Sequence, residues 1–387
     1  MTEYEISVES PVYIGSGDEL DSMDFVVQNG RVSIISVDKV LAELKNKGKS
    51  PLVLHDEIEQ FGRNFDFGKF LYRHGINVEK ISKYTLPCDG NPNKIGTFIK
   101  NAFGVPLIPG SSIKGAIRTA LTWYFLKNGN MEGEVERTVR KVLGELNRIR
   151  DNRERRRASQ SWERKIGQEL EKLVFYGKEK DPRFDVNKAM TVTDASLESV
   201  GLLELALCKI FTATRENRLA PKNFDIFVEA IKPNTQIGTT KISLNSYFLE
   251  EKFSELGFDR DRVETFREFP HICNEFSKNL IEYELDFFDK YGLSELVMFY
   301  ERLLSSITAD NEFLLRLGFG IGWISTTIGL ILRDNPDLLK DIRREFRLGR
   351  RRYQPYYVPE FPKTRKIITE RGKPRFPMGW ICLREVK

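Results

Sequence analysis

Ile108-Pro109-Gly110-Ser111-Ser112-Ile113-Lys114-Gly115-Ala116-Ile117-Arg118-Thr119-Ala120-Leu121 reads as a tight turn running into a helix. Ile113, Ala116, Ile117, Ala120, Leu121, Tyr124 and Phe125 recur at helical spacing and make one apolar stripe. Ser111 or Ser112 is a natural N-cap, since a hydroxyl there can accept from the free N–H groups of the first turn. A helix with one apolar stripe needs another layer to cover, and strand-like runs lie on both sides of it. Upstream are residues 4–8 and 81–86, and a hairpin over 24–36 built on Asn29-Gly30, a strong turn signal between apolar runs. Downstream are 189–192, 203–212, 224–231 and 237–244. Helices are expected over 37–45, 55–75, 131–176 and much of 247–306. Strands with interposed helices, twice over, predict an α+β protein with two open-sheet lobes joined near residues 213–225.

The 387 residues are 40% hydrophobic and 30% charged, a balance that suits two or three domains and more than one core. No apolar run reaches the roughly 18 residues a bilayer crossing needs. The most apolar stretch, 321–332, is too short and contains Ser325, Thr326 and Thr327. The first ten residues have neither a basic nor an apolar signal region, so a cytoplasmic protein without membrane partners is expected. Cys88, Cys208, Cys273 and Cys382 are far apart and form no CxxC, which disfavours a zinc ribbon or a disulfide scaffold.

The net charge of +5 is unevenly spread. Residues 343–387 hold 14 Lys/Arg against 4 Asp/Glu, and the rest of the chain sums to −5. Arg350, Arg351 and Arg352 are followed by Tyr353, Tyr356 and Tyr357, and interleaved cations and aromatics are the footprint of a nucleic-acid binder. A second excess, nine basic residues against four acidic, lies between Val135 and Arg157. Those charges suit either RNA contact or a solvated helix face with i,i+4 pairs.

Three glycine-bearing turns stand out. Pro11-Val12-Tyr13-Ile14-Gly15-Ser16-Gly17 follows the first strand, and its N–H groups can face an anion. The turn at 108–118 brings Ser111, Ser112, Lys114 and Arg118 to a helix N-terminus, where a phosphate would meet N–H groups and two cations. The same pattern also fits an ordinary core helix. Arg316-Leu317-Gly318-Phe319-Gly320-Ile321-Gly322-Trp323 is the third. Its GxGxG spacing is not the GxGxxG of a dinucleotide fold, and no P-loop is present, so no cofactor is implied. A loop of this kind suits close approach to a sugar-phosphate backbone.

Catalytic patterns are thin. His55, His74 and His271 sit in no HExxH, no GxSxG exists, and no metal set is apparent. His74 is the one candidate base for a metal-independent ribonuclease. Asp194, in TVTDAS, reads as an acid or, more simply, as the cap of a turn.

The motifs SPVYIGSG, IPGSSIKGAIRTAL, TVTDAS, VEAIKPNTQIGTT and RLGFGIGW, with the terminal FPKTRKI and PMGWICL, resemble the RAMP superfamily of CRISPR proteins. Within it the chain is similar to the family of the fifth subunit of the type III-A (Csm) effector. The resemblance implies two ferredoxin-like (RRM-like) domains with antiparallel sheets, here over 1–220 and 221–387. The helical insertions would be about 50–80, 131–176 and 247–306. It also implies a structural subunit that caps the 3′ end of the CRISPR guide RNA and supports its maturation in antiviral defence. The partners would be the guide, the other Csm subunits, especially the neighbouring backbone RAMP subunit, and a host nuclease. No catalytic residue is implied, although a maturation endoribonuclease and a nuclease-recruiting adaptor are alternative readings. The RNA-contact set is Gly15, Ser16, Gly17, Ser111, Ser112, Lys114, Arg118, Arg316, Gly318, Gly320, Gly322, Arg351, Lys363 and Arg365.

Overall fold

The computed structural model describes residues 1–62, 65–129, 131–178, 181–214, 216, 218–307, 311–326, 328–349 and 360–386. Chain order begins with β1 (Thr2–Val8), β2 (Gly15–Asp21), the hairpin β3 (Phe25–Gln28) and β4 (Arg31–Ile35), and α1 (Val37–Asn46). Next come α2 (Leu52–Phe61), α3 (Phe67–Arg73), α4 (Val78–Ile81), β5 (Ser82–Pro87), β6 (Lys94–Phe98) and β7 (Leu107–Ile108). Three helices follow: α5 (Gly110–Asn128), α6 (Glu132–Asn147) and α7 (Asn152–Phe175). Strands return as β8 (Met190–Val192), β9 (Ala195–Ser196), β10 (Leu203–Ala213), β11 (Leu219–Ile231) and β12 (Thr235–Leu244). The last third holds α8 (Phe253–Leu256), α9 (Arg260–Arg267), α10 (Phe269–Lys290), α11 (Ser294–Ser305) and β13 (Glu312–Arg316). It closes with α12 (Gly329–Arg333), α13 (Pro336–Glu345), β14 (Thr364–Glu370), β15 (Lys373–Pro377) and β16 (Trp380–Glu385).

Two larger sheets carry the fold. The first is antiparallel, in the order β13-β16-β1-β12-β8. Helices α5 and α10 cover one face of it, an α+β layering. Aromatic contacts join the layers: Trp123 meets Phe276 at 5.6 Å, and Phe269 meets Phe313 at 5.7 Å. The second runs β15-β14-β10-β11-β6-β2, antiparallel except for the parallel β11–β6 pair. Its inner face, with Leu203, Leu205, Phe211, Ile231 and Ile367, joins the main core. Its outer face carries a small separate cluster of Ala206, Cys208, Val228, Ala230, Ile368 and Met378.

The α5 stripe is wider than the periodicity predicts. Ile113, Ile117, Ala120 and Leu121 are buried as expected, but so are Thr122, Trp123 and Leu126. The helix has α10 on one side and α7 on another, so more than one face is covered.

The expected boundary at 220/221 falls inside β11, which pairs with β10 in one sheet. Both larger sheets take strands from each side of that point. Residues 221–225 of β11, with Pro221, Lys222, Asn223 and Asp225, are exposed, so the segment reads like a linker in sequence. The expected insertion at 247–306 is also only partly one. Helix α10 buries Ile272, Phe276, Leu280, Ile281 and Phe288 and is a layer of the fold itself. The helices at 37–81 do form a satellite core of their own, with Val40, Leu44, Phe67, Phe70 and Leu71.

Candidate nucleic-acid interface

The turn after β1 and the glycine loop after β13 are more than 300 residues apart in the chain but lie against each other. Phe319 N–H donates to the Tyr13 carbonyl at 2.8 Å. Leu317 N–H donates to the Gly379 carbonyl at 2.9 Å, and Gly379 N–H donates to Pro11 at 3.0 Å. Three segments are thereby stitched edge to edge over the outer face of the second sheet. The small side chains Ala206 and Ala230 let them sit close. The rings of Tyr13 and Phe319 meet edge-on at 5.6 Å, and Lys366 Nζ lies 3.9 Å over the Phe319 ring. Burial holds that ammonium below its usual pKa.

The glycines divide into two kinds. A Cβ on Gly318 would lie 2.5 Å from the Tyr13 carbonyl, and one on Gly320 would lie 2.6 Å from Met378 Sδ. A Cβ on Gly15 would lie 2.9 Å from the Tyr13 hydroxyl. These three are small because protein packs on them. Gly17 and Gly322 have nothing within 4 Å and are exposed, so the space beside them is open to a ligand. Ser16 is exposed and shares a hydrogen bond with Thr97 at 2.6 Å.

Beside these turns lies an open cleft of about 910 Å³ on the face of β2, β6, β10 and β11. Tyr13 and Phe319 form one wall, and Phe224 and Phe227 contribute further aromatic surface. Lys94 pairs with Glu19 at 3.0 Å and Lys209 with Asp225 at 3.1 Å. Lys222 is exposed and has no carboxylate partner among the described residues. Asn91, Asn93 and Asn223 add amides at the rim. Aromatic faces stack unpaired bases, amides meet base edges and sugars, and ammonium groups meet phosphates. Sequence reading passed over Lys222 and Phe224 because 213–225 looked like a joint. The signal was there in Lys222-Asn223-Phe224, a cation and an aromatic flanking an amide.

The turn before α5 behaves differently from expectation. Neither Ser111 nor Ser112 caps the helix; the N-cap position is Pro109, and Asp194 Oδ1 accepts from Gly110 N–H at 2.7 Å. A carboxylate therefore stands where a phosphate would dock, and like charges repel. Lys114 Nζ donates to the Met190 carbonyl at 2.6 Å, and burial lowers its pKa. Arg118 pairs with Glu171 at 3.0 Å and Asp185 at 3.2 Å, and lies 4.0 Å over Phe175. Both cations hold α5 to its neighbours. Asp194→Ala is expected to lower stability by about 1 kcal/mol, the usual cost of a lost cap, read as a shift in the urea midpoint.

Arg316 and Arg365 are not on the surface. Both are buried around Glu284, with Arg316 Nη1 3.4 Å from Oε1 and Arg365 Nε 2.6 Å from Oε2. Arg316 also donates to the Met378 carbonyl at 3.1 Å and to Ser325 at 3.3 Å. Arg365 lies 3.8 Å over Phe287. They anchor the base of the glycine loop, and a strand of RNA cannot reach them. Lys363 is half-buried just before β14, where its carbonyl accepts from Ala213 N–H at 2.9 Å. Arg351 lies outside the described residues.

His74, the candidate base, has both ring nitrogens engaged. Nε2 is 2.7 Å from Glu57 and Nδ1 is 2.9 Å from Lys49. Although burial opposes it, hydrogen bonds from His74 and Arg73 hold the Glu57 carboxyl below its usual pKa. Among the described residues, no group of three or more His, Cys, Asp or Glu could hold a metal, and no helix is long and apolar enough to cross a membrane.

The RAMP superfamily description matches residues 5–325, a span that takes in both glycine turns. The chain belongs to the RAMP superfamily. Among RAMP relatives it is similar to the protein named CRISPR system Cms protein Csm5 of Methanocaldococcus jannaschii. The two are 26% identical over 408 residues, covering 98% of this chain and 88% of the relative. A Streptococcus thermophilus protein of the same name is 32% identical over 130 residues, 29% of this chain and 35% of that one. Two solved structures share the RAMP fold. A chain in the cryo-EM structure of a type III-A Csm–crRNA–target RNA ternary complex superposes with TM-score 0.73 at 23% identity, covering 99% of this chain and 100% of its own. The crystal structure of T. onnurineus Csm5 gives TM-score 0.69 at 24% identity, covering 97% and 99%.

Proposed function

We propose that this RAMP protein is a structural subunit of a type III-A Csm effector complex, binding the guide RNA at its 3′ end and supporting its maturation. The observation that carries the reading is the juxtaposition of two glycine turns with an aromatic and basic cleft on an open sheet face. Gly17 and Gly322 leave room for a backbone, and the cleft offers stacking faces beside Lys222. The RAMP relatives named Csm5 support the Csm assignment, and with it partners among the other Csm subunits. Contacts go mainly to phosphate, sugar and base faces, so the grip is largely independent of sequence. This reading assigns the subunit a structural role rather than a catalytic one; His74, the candidate base, is held by Glu57 and Lys49.

Binding of a labelled single-stranded RNA, followed by anisotropy over a salt series, tests this. Affinity falls steeply with salt in the native protein. Lys222→Glu with Phe224→Ala weakens it by about tenfold or more, the scale of one lost stacking contact plus a reversed charge. The exposure of both side chains leaves the melting temperature near native. Native affinity in that double variant removes the cleft from the RNA path.

A further inference from the structure

The two basic segments that stand out in sequence converge in the fold. Helices α6 and α7 form an antiparallel hairpin, and residues 148–157 at its tip hold six arginines against Asp151 and Glu154. The last turn of α13 lies alongside. Arg155 Nε donates to Glu345 at 3.0 Å, and Arg140 Nη1 is 3.6 Å from Asp341.

Apart from the exposed Glu154, the carboxylates near the tip are already engaged. Asp151 caps α7, accepting from the N–H groups of Arg153 and Glu154 at 2.9 and 2.7 Å. Glu345 takes Arg155, and Glu145 takes Lys165 at 2.9 Å. Along the body of α6 the cations are paired within the helix, as in Arg140 with Glu136 at 2.7 Å. The tip is different. Arg148, Arg150, Arg153 and Arg157 are exposed, and none is within ion-pair distance of a carboxylate among the described residues, although, after Lys165, Arg148 is near enough to Glu145 to help hold that carboxyl below its usual pKa. Arg153 and Arg157 are one helical turn apart on one face, and Arg347, just past α13, is exposed as well.

We propose that the α6–α7 tip, with the end of α13, is a second RNA-binding surface, taking the phosphodiester backbone. The proposal rests on the reading of the chain as an RNA-binding subunit and adds a site away from the glycine turns. A folded protein partner would need apolar or aromatic anchors at the centre of its interface. Among the described residues, no large hydrophobic side chain is exposed on α6, α7 or α13. Guanidinium groups without local partners match phosphates in fork geometry, and they do so whatever the base sequence.

The test uses the full chain and an oligouridine RNA of about 30 nucleotides, with affinity measured over a salt series. Two triple variants are compared: Arg148→Glu/Arg150→Glu/Arg153→Glu, and the milder set with Gln at the same three positions. Circular dichroism shows that each is folded. The Glu set is expected to bind at least tenfold more weakly, and the slope of log affinity against log salt falls by about 2 for three lost phosphate contacts. The Gln set falls between. If both variants keep native affinity and native slope, the surface is not an RNA site and the proposal is wrong. It is equally wrong if RNA binding is native while binding to polyglutamate is lost, which would assign the tip to an acidic protein. No RNA binding by the native chain would refute the functional reading itself. A defect confined to the Lys222→Glu/Phe224→Ala variant would leave that reading standing and overturn only this one.

Discussion

Glu284→Ala is expected to lower stability by about 3–5 kcal/mol, the cost of removing one member of a buried ion network. Glu284 is 2% exposed and faces Arg316 at 3.4 Å and Arg365 at 2.6 Å. Taking it away leaves two guanidinium groups in the interior with no counter-charge. Burial opposes the charge on Arg365, and Glu284 together with Tyr283 more than offsets this and holds its pKa above the ordinary value. The network also ties four separate parts together: α10 through Glu284, the end of β13 through Arg316, the start of β14 through Arg365, and Ser325 beyond the glycine loop. A urea titration reads the loss as a fall in midpoint at unchanged slope. Glu284→Gln, which keeps the volume and loses the charge, is expected to be destabilised as well. A midpoint within about 1 kcal/mol of native for Glu284→Ala would mean that water or a rearrangement neutralises the arginines.

Gly318→Ala is expected to damage stability and RNA binding together. Its backbone has φ +86°, where a side chain costs about 1–3 kcal/mol. In addition the new Cβ would lie 2.5 Å from the Tyr13 carbonyl, which accepts from Phe319 N–H. The loop must move away from the first turn, and the wall formed by Tyr13 and Phe319 moves with it. Gly322→Ala is the comparison. It has φ +87° and nothing within 4 Å, so it carries the backbone cost without the clash. Thermal melting and RNA anisotropy on the pair separate the two contributions. Equal melting temperatures would show that the contact between the two turns does not hold the loop.

Much of the fold was legible because it is local. The Asn29-Gly30 hairpin is present, with both residues at positive φ, and the helix after Pro109 runs to Asn128. The strands at 203–212 and 237–244 appear nearly as expected. The order of glycine turns identified the RAMP resemblance, and the match over 5–325 bears it out. What was not legible depends on distant partners. Arg316 and Arg365 look like surface cations in sequence. Their burial depends on Glu284, which sits on a helix that looked like an insertion. Ser111 and Ser112 look like caps, and the cap comes from Asp194, more than 80 residues on. Lys222 and Phe224 fall at the expected joint, and it is the pairing of β11 with β10 that places them on a sheet face beside the cleft.

From the chain alone came the types of element, the positions of the bends and the uneven placement of charge, since each follows from side-chain pattern and backbone freedom over a few residues. Three-dimensional packing alone chose which cations face outward. A guanidinium is free to meet a phosphate only when no carboxylate reaches it first, and that competition is settled by neighbours brought in from other parts of the chain.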